Sequence, residues 1–176
     1  MLEFQSPLKV KFVCGLIFHT EGVYTGTKST LEKKFGPIDM ESEPIAFNFT
    51  DYYEKEMGKN LIRRFITFKK LQDPAAFVTI KRFCVKLEKK FSINHARRIN
   101  IDPGYINESK LILTTTKDFS HRIYLGKGVF AEITLNYRGK GFKDHETTFP
   151  DYRTDTYKNI FLKIRETYRT QIANAK

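Results

Sequence analysis

A chain of 176 residues with 40% hydrophobic and 14% aromatic side chains can bury the core of one ordinary domain, which excludes a disordered or fibrous chain and two large independent domains. Its 31 lysines and arginines against 20 acids give a net charge of +11, an excess that points to an anionic partner such as nucleotide, nucleic acid or acidic lipid. The longest apolar stretch, Phe12 to Phe18, falls short of the roughly 20 residues of a membrane span, and Lys9 and Lys11 frame it poorly for a signal peptide. No membrane partner and a cytoplasmic location are therefore expected.

Lys9 to Phe18 (KVKFVCGLIF) passes from alternation into a continuous apolar run, the pattern of a central strand buried on both faces. Tyr24, Leu31 and Phe35 then recur at helical spacing, and Gly36-Pro37 supplies a stop. Ile38 to Phe47 reads as an edge strand, because Pro44 has no amide to donate. Phe49 to Asn60 reads as a long ordered loop and Leu61 to Phe68 as a strand. Asp73 and Pro74 open a helix on which Phe77, Ile80, Cys84, Leu87 and Phe91 share one stripe, sending Lys81, Arg82, Lys86, Lys89 and Lys90 elsewhere. Arg98 to Asp102 alternates as a strand that Pro103-Gly104 is expected to end.

The order strand, helix, strand, strand, helix, strand is the ferredoxin-like order. The remaining third supplies a strand at Lys110 to Thr116 and a hairpin of Arg122 to Leu125 with Val129 to Tyr137 through Gly126-Lys127-Gly128. There, alternation assigns Val129, Ala131, Ile133 and Leu135 to the core and Glu132 and Thr134 to the opposite face. After a polar loop (Arg138 to Pro150), a last helix starts near Thr154 and turns Ile160, Phe161, Ile164, Tyr168 and Ile172 inward. The expected fold class is α+β in one domain. A ferredoxin-like βαββαβ core over about 9–104 is extended by a C-terminal βββα unit over about 105–173.

Chemistry is sparser. Cys14 and Cys84 both fall at apolar positions, with neither a CxxC nor a His pair, so two reduced, buried thiols are expected. Phosphate-loop, dinucleotide-binding, zinc-protease and serine-hydrolase signatures are all missing. Thr116-Lys117-Asp118 lacks the spacer of a guanine-reading tetrapeptide, Lys127-Gly128-Val129-Phe130 lacks the glycine-aromatic alternation of an RNA-binding strand, and His19, His95, His121 and His145 lack metal-pair spacing. Two concentrations remain. Lys55 to Arg98 holds thirteen bases and three acids, which with Phe65, Phe68, Tyr52 and Tyr53 would make a nucleic-acid stacking surface, or simply a solvated face. Arg98 to Glu132 is dense in polar residues at strand positions: Arg98, Asn100, Lys110, Lys117, His121 and Arg122 as ligand-binding candidates, and Asp102 and Glu132 as metal-binding carboxylates for a magnesium-phosphate ligand. In the expected hairpin Arg122 stands opposite Glu132.

The strings FGPIDMESEPIAFNFTDYYEKEMG, RRINIDPGYI, KLILTTTKDFSHRIYLGKGVFAEITLNY and PDYRTDTY resemble an uncharacterised prokaryotic family, domain of unknown function 4416, over roughly Val10 to Tyr168. The chain departs from that resemblance where Gly22 and Gly26 interrupt the first helix. The resemblance implies a stand-alone cytoplasmic protein of bacteria or archaea, and no activity, catalytic residue or cofactor. From the residues, the leading expectation is a small enzyme or sensor that binds a phosphorylated small molecule or nucleotide, with magnesium as the cation it would use. The alternative is a non-catalytic nucleic-acid-associated protein.

Overall fold

Burial on both faces puts β1 (Lys11–Phe18) at the centre of the fold, since all eight of its residues are buried. The computed structural model describes residues 5–174. β4 (Leu61–Phe68) and β5 (Ile99–Ile106) flank β1, both antiparallel to it. Outside them lie β2 (Ile38–Glu41) and β3 (Ile45–Phe47) against β4, and on the other side β6 (Lys110–Thr115), β8 (Val129–Arg138) and β7 (Ile123–Gly126) in that order, with β9 (Gly141–Asp144) also on β8. The result is a mixed α/β fold on one continuous antiparallel sheet.

Alternation along β1 separates two cores. Phe12, Cys14, Leu16 and Phe18 meet α1 (Glu21–Phe35) and α3 (Phe77–Lys90), the latter through Phe77, Ile80, Cys84 and Leu87. On the opposite face Val13, Phe65, Leu111 and Leu135 meet α4 (Asp155–Ala173) through Tyr157, Phe161 and Ile164. Cys14 and Cys84 are free and buried. Thr154 caps α4 through the Tyr157 amide, and Asp73 caps a 3-10 turn at Pro74–Ala76 that leads into α3. Gly26 leaves room for Phe91, whose ring would stand 3.2 Å from a Cβ at that position. The helix therefore tolerates this glycine because another helix packs against it.

Six expectations are corrected. The 49–60 loop contains a helical turn, α2 (Glu54–Met57), and the 138–150 loop contains β9. Both hairpins that use β8 close through two residues with positive φ, Lys127-Gly128 and Gly139-Lys140, the turn that matches strand twist. β8 carries a bulge at Thr134, because Leu135 faces Leu111 while Ile133 faces Ile112. That extra residue reverses the alternation, so Glu132 and Thr134 are buried and Ile133 is 43% exposed. Lys81 is buried beside the apolar stripe of α3 instead of facing solvent. Finally, β5 runs through Pro103-Gly104 to Ile106, and it is the pairing with β6 that stops there.

Candidate functional site

Proline has no amide to donate, so the β5–β6 ladder cannot continue past Pro103. Pairing covers only Gly104 to Ile106 against Leu111 to Leu113. Gly104 allows the close approach at the fork, since a Cβ there would stand 2.1 Å from the Ile112 carbonyl oxygen. Beyond it the strands part, and side chains complete the exposed backbone. Thr114 donates to the Pro103 carbonyl at 2.7 Å, Lys81 donates to the Ile101 carbonyl at 3.1 Å, and Glu88 accepts the Ile101 amide at 2.6 Å. The fork opens into a pocket of about 1400 Å³ bounded by α3, the 47–56 segment, the β6–β7 connection and the 3-10 turn Pro150–Arg153.

The floor is built around Arg63. Its guanidinium is 2% exposed and donates to Asp102 and Asp151, each at 3.1 Å. Asn100 also donates to Asp102, at 2.8 Å. The rings of Phe47, Phe65 and Tyr152 surround the guanidinium at 5.3, 5.5 and 5.7 Å. Burial pushes the Asp151 carboxyl up, with Arg63 pulling it down and Asp102 adding to the rise. Among the described residues Tyr152 Oη is buried without a hydrogen-bond partner. Gly15 makes the space, since a Cβ on it would lie 2.7 Å from Arg63 Nη1 and 3.3 Å from Tyr152 Oη.

The walls carry further pairs. Arg97 donates to Glu56 at 2.6 Å and to Asn100 at 3.2 Å, holding the Glu56 carboxyl below its ordinary range. Arg122 donates to Glu132 at 2.8 Å, and His121 Nε2 bonds the same oxygen at 3.1 Å. At the rim, Lys117 lies over the Tyr52 ring at 4.5 Å and donates to its hydroxyl at 2.8 Å, which lowers the phenol's pKa. Lys89 lines the same rim. Among the described residues neither Lys89 nor Lys117 meets a carboxylate. Tyr52, Phe49 and Phe149, all exposed, add aromatic surface there.

Of the residues singled out in the sequence, Asn100, Asp102, Lys117, Arg122 and Glu132 line this pocket, and His121 joins it through Glu132. Arg122 reaches Glu132 even though the hairpin is bulged at Leu125 and closes with Gly126 opposite Val129. Arg98 instead donates to Thr20 at 3.2 Å, and Lys110 lines a separate hollow of about 610 Å³ at the other end of β6. The proposed metal carboxylates, Asp102 and Glu132, each accept from an arginine, and among the described residues no group of three or more His, Cys, Asp or Glu gathers at one point. The basic run does not make one surface either. Arg63 and Lys81 are interior and Arg64 and Arg97 are paired with acids, while Phe65 and Phe68 are buried in the two cores and cannot stack on bases.

Arg63, Glu88, Arg97, Asp151 and Tyr152 are site residues that sequence patterning did not single out. Arg63 had one signal, that it is the only charge on the face of β4 it shares with Leu61 and Phe65. Asp151 and Tyr152 fall in the string PDYRTDTY, and the fold brings them to Arg63 across 88 residues.

A model of one family matches residues 8–168, which is nearly the whole chain. The chain belongs to the family described as Domain of unknown function (DUF4416). The match covers every element of the DUF4416 pocket, from Gly15 in β1 to the turn at Pro150–Arg153. No curated protein and no solved structure matches the chain. Among the described residues no helix is long and apolar enough to cross a membrane.

Proposed function

We propose that the forked pocket binds a phosphorylated small molecule or nucleotide. The observation that carries this reading is the pocket lining, where among the described residues Lys89 and Lys117 form no ion pair with a carboxylate and the rings of Tyr52, Phe49 and Phe149 are exposed. An anion entering there gains charge-assisted hydrogen bonds without breaking an existing ion pair, and an attached planar group gains a ring to stack on. At about 1400 Å³ the pocket has room for a ligand of this size. We also read the segment from β1 to β5 as a ferredoxin-like core, supported by the strand order β2-β4-β1-β5 and by α1 and α3 packing against one face.

The test is calorimetric titration with inorganic phosphate, ribose 5-phosphate and AMP, each with and without magnesium. The reading requires saturation at one site per chain that persists at physiological salt and weakens about tenfold in Lys117→Ala, the loss of one charge-assisted contact. Affinity weaker than millimolar for all three probes, with and without magnesium, overturns it. A nucleic-acid reading keeps one specific support, the exposed Arg82, Lys86, Lys89 and Lys90 on α3.

A further inference from the structure

We propose that β7 is the edge through which this chain pairs with a second copy of itself, the two β7 strands lying antiparallel so that the sheet runs on across the pair. The sheet ends at β7, which is bonded on one side only, to β8. Unpaired backbone groups on such an edge are a template for another strand, and natural sheets blunt them with charge, proline or cover. The opposite end of this sheet is blunted in that way. Pro37 and Pro44 flank β2 and β3, Asp39, Glu41 and Glu43 charge the edge, and none of the large apolar side chains exposed among the described residues lies on it. β7 reads Ile-Tyr-Leu-Gly, without a charge or a proline, and its one irregularity, the bulge at Leu125, comes at its C-terminal end. Ile123 is 69% and Tyr124 61% exposed, and Leu125 is exposed as well. Phe119, whose carbonyl accepts the Arg122 amide, and Ile133, two residues along β8 from the partner of Ile123, are also exposed. Half of the exposed large apolar side chains among the described residues thus gather at this one corner. None of the five lines the pocket, so the inference is independent of the phosphate-binding reading.

The apolar side chains lie on both faces of the edge. Tyr124 pairs with Phe130, on the face of β8 that carries Glu132, while Ile123 pairs with Ala131, on the face that carries Ile133. A partner laid on one face would leave the other wet, whereas a strand added at the edge brings neighbours to both. A second copy supplies such a strand, because a two-fold axis at Tyr124 makes β7 antiparallel to itself. That register sets Tyr124 against Tyr124 of the other copy, Ile123 against its Leu125 and Arg122 against its Gly126, so apolar residues meet and no two cations are opposed. Arg122 is in any case paired with Glu132 of its own chain. Charge favours this occupant. An acidic partner would be drawn to the lysines and arginines of a chain with net charge +11, and away from a strand that carries no charge. Size agrees. The five side chains expose on the order of 500 Å² per copy, near the upper end for a patch left bare on a monomer. Two copies, with the strand backbone covered as well, reach the roughly 1,200 Å² at which specific interfaces begin.

Sedimentation equilibrium of the full chain from about 1 to about 100 µM is expected to show a monomer–dimer equilibrium with a dissociation constant in the micromolar range, as suits an interface at the low end of size. Ile123→Lys places a charge where solvent already reaches, so the far-UV circular dichroism should hold while the dimer weakens at least about tenfold. Tyr124→Cys tests the register. Directly opposite residues of an antiparallel pair bring their Cα atoms to about 4.5–5.5 Å, within reach of a disulfide, and the native Cys14 and Cys84 are buried. Under a mild oxidant this variant should cross-link to a dimer and the wild type should not. A chain that stays monomeric throughout the range overturns the proposal and leaves β7 to a strand of a different protein. A dimer that Ile123→Lys leaves intact overturns it by placing the contact elsewhere, and a dimer sensitive to Ile123→Lys in which Tyr124→Cys fails to cross-link overturns the pairing of β7 with itself.

Discussion

Glu88 Oε1 accepts the backbone amide of Ile101 at 2.6 Å, standing where a carbonyl of β6 would stand had the ladder continued. With Lys81 on the Ile101 carbonyl, a helix thus supplies the hydrogen bonds that Pro103 forces the sheet to give up. The pocket exists because this opening is held apart at its base by the side chains of Glu88 and Lys81.

The Glu88 contact has a pH signature. Burial raises its carboxyl from 4.5 to about 7, against the opposing pull of Lys81, the Ile101 amide and Arg97. A carboxyl with a higher pKa in the folded chain keeps a proton that the unfolded chain has released. Its stabilising contribution is therefore full below about pH 4.5 and is lost as pH rises to about 7, a change of roughly 3 kcal/mol. Glu88→Gln keeps an acceptor for Ile101 and removes the titration. Urea unfolding near pH 5 and pH 8 should show the variant gaining on the wild type as pH rises, and parallel profiles for the two chains would refute this.

Two glycines should respond in opposite directions. Gly104→Ala drives a Cβ to 2.1 Å from the Ile112 carbonyl, a backbone atom that moves only if β6 moves, so a loss of about 1–3 kcal/mol or more is expected. Gly22→Ala meets nothing within 4 Å in the first turns of α1 and should gain about 0.5 kcal/mol through helix propensity. Chemical denaturation of both variants checks the sign of each change.

Arg63→Met should cost about 3–5 kcal/mol, because Asp102 and Asp151 then face each other without the guanidinium between them. Adding Asp151→Asn should recover a large part of that loss, since it removes one of the two uncompensated charges. If the double variant is no more stable than the single one, packing by the Arg63 side chain, and not charge, is what holds the floor.

Periodic burial was readable in the chain. The stripe Phe77, Ile80, Cys84, Leu87 is one face of α3, and Leu87→Ala should cost about 2–5 kcal/mol by equilibrium unfolding. Asp102, Arg122 and Glu132 stood out because charged residues at strand positions break an apolar pattern. The misreadings share one cause, that local rules do not see the partner strand. Pro103 looked like a strand end, yet it ends only the pairing on one side. Alternation in β8 assigned Ile133 to the core because a bulge at Thr134 leaves no mark in composition. The floor was out of reach for the same reason, since Arg63, Asp102 and Asp151 meet only after β1, β4, β5 and the 150–153 turn have assembled.

The last prediction separates the pocket from the basic run. With Arg63 and Lys81 interior and Arg64 and Arg97 paired with acids, the exposed cations of α3 near the rim reduce to Arg82, Lys86, Lys89 and Lys90, and Arg82 already donates to the Lys127 carbonyl at 3.0 Å. Three free lysines release about two counterions from single-stranded RNA, so any binding should fall only roughly tenfold to twentyfold between 50 and 200 mM salt. Lys86→Glu with Lys90→Glu should abolish that binding while leaving phosphate affinity in the pocket unchanged, because only Lys89 of the three lines it. Filter binding of an RNA homopolymer across a salt series measures the slope, and a steeper fall that survives the double reversal would mean that the nucleic-acid surface lies off α3. Loss of pocket phosphate binding in the same variant would instead mean that the rim depends on the whole basic face, and the two sites would have to be treated as one.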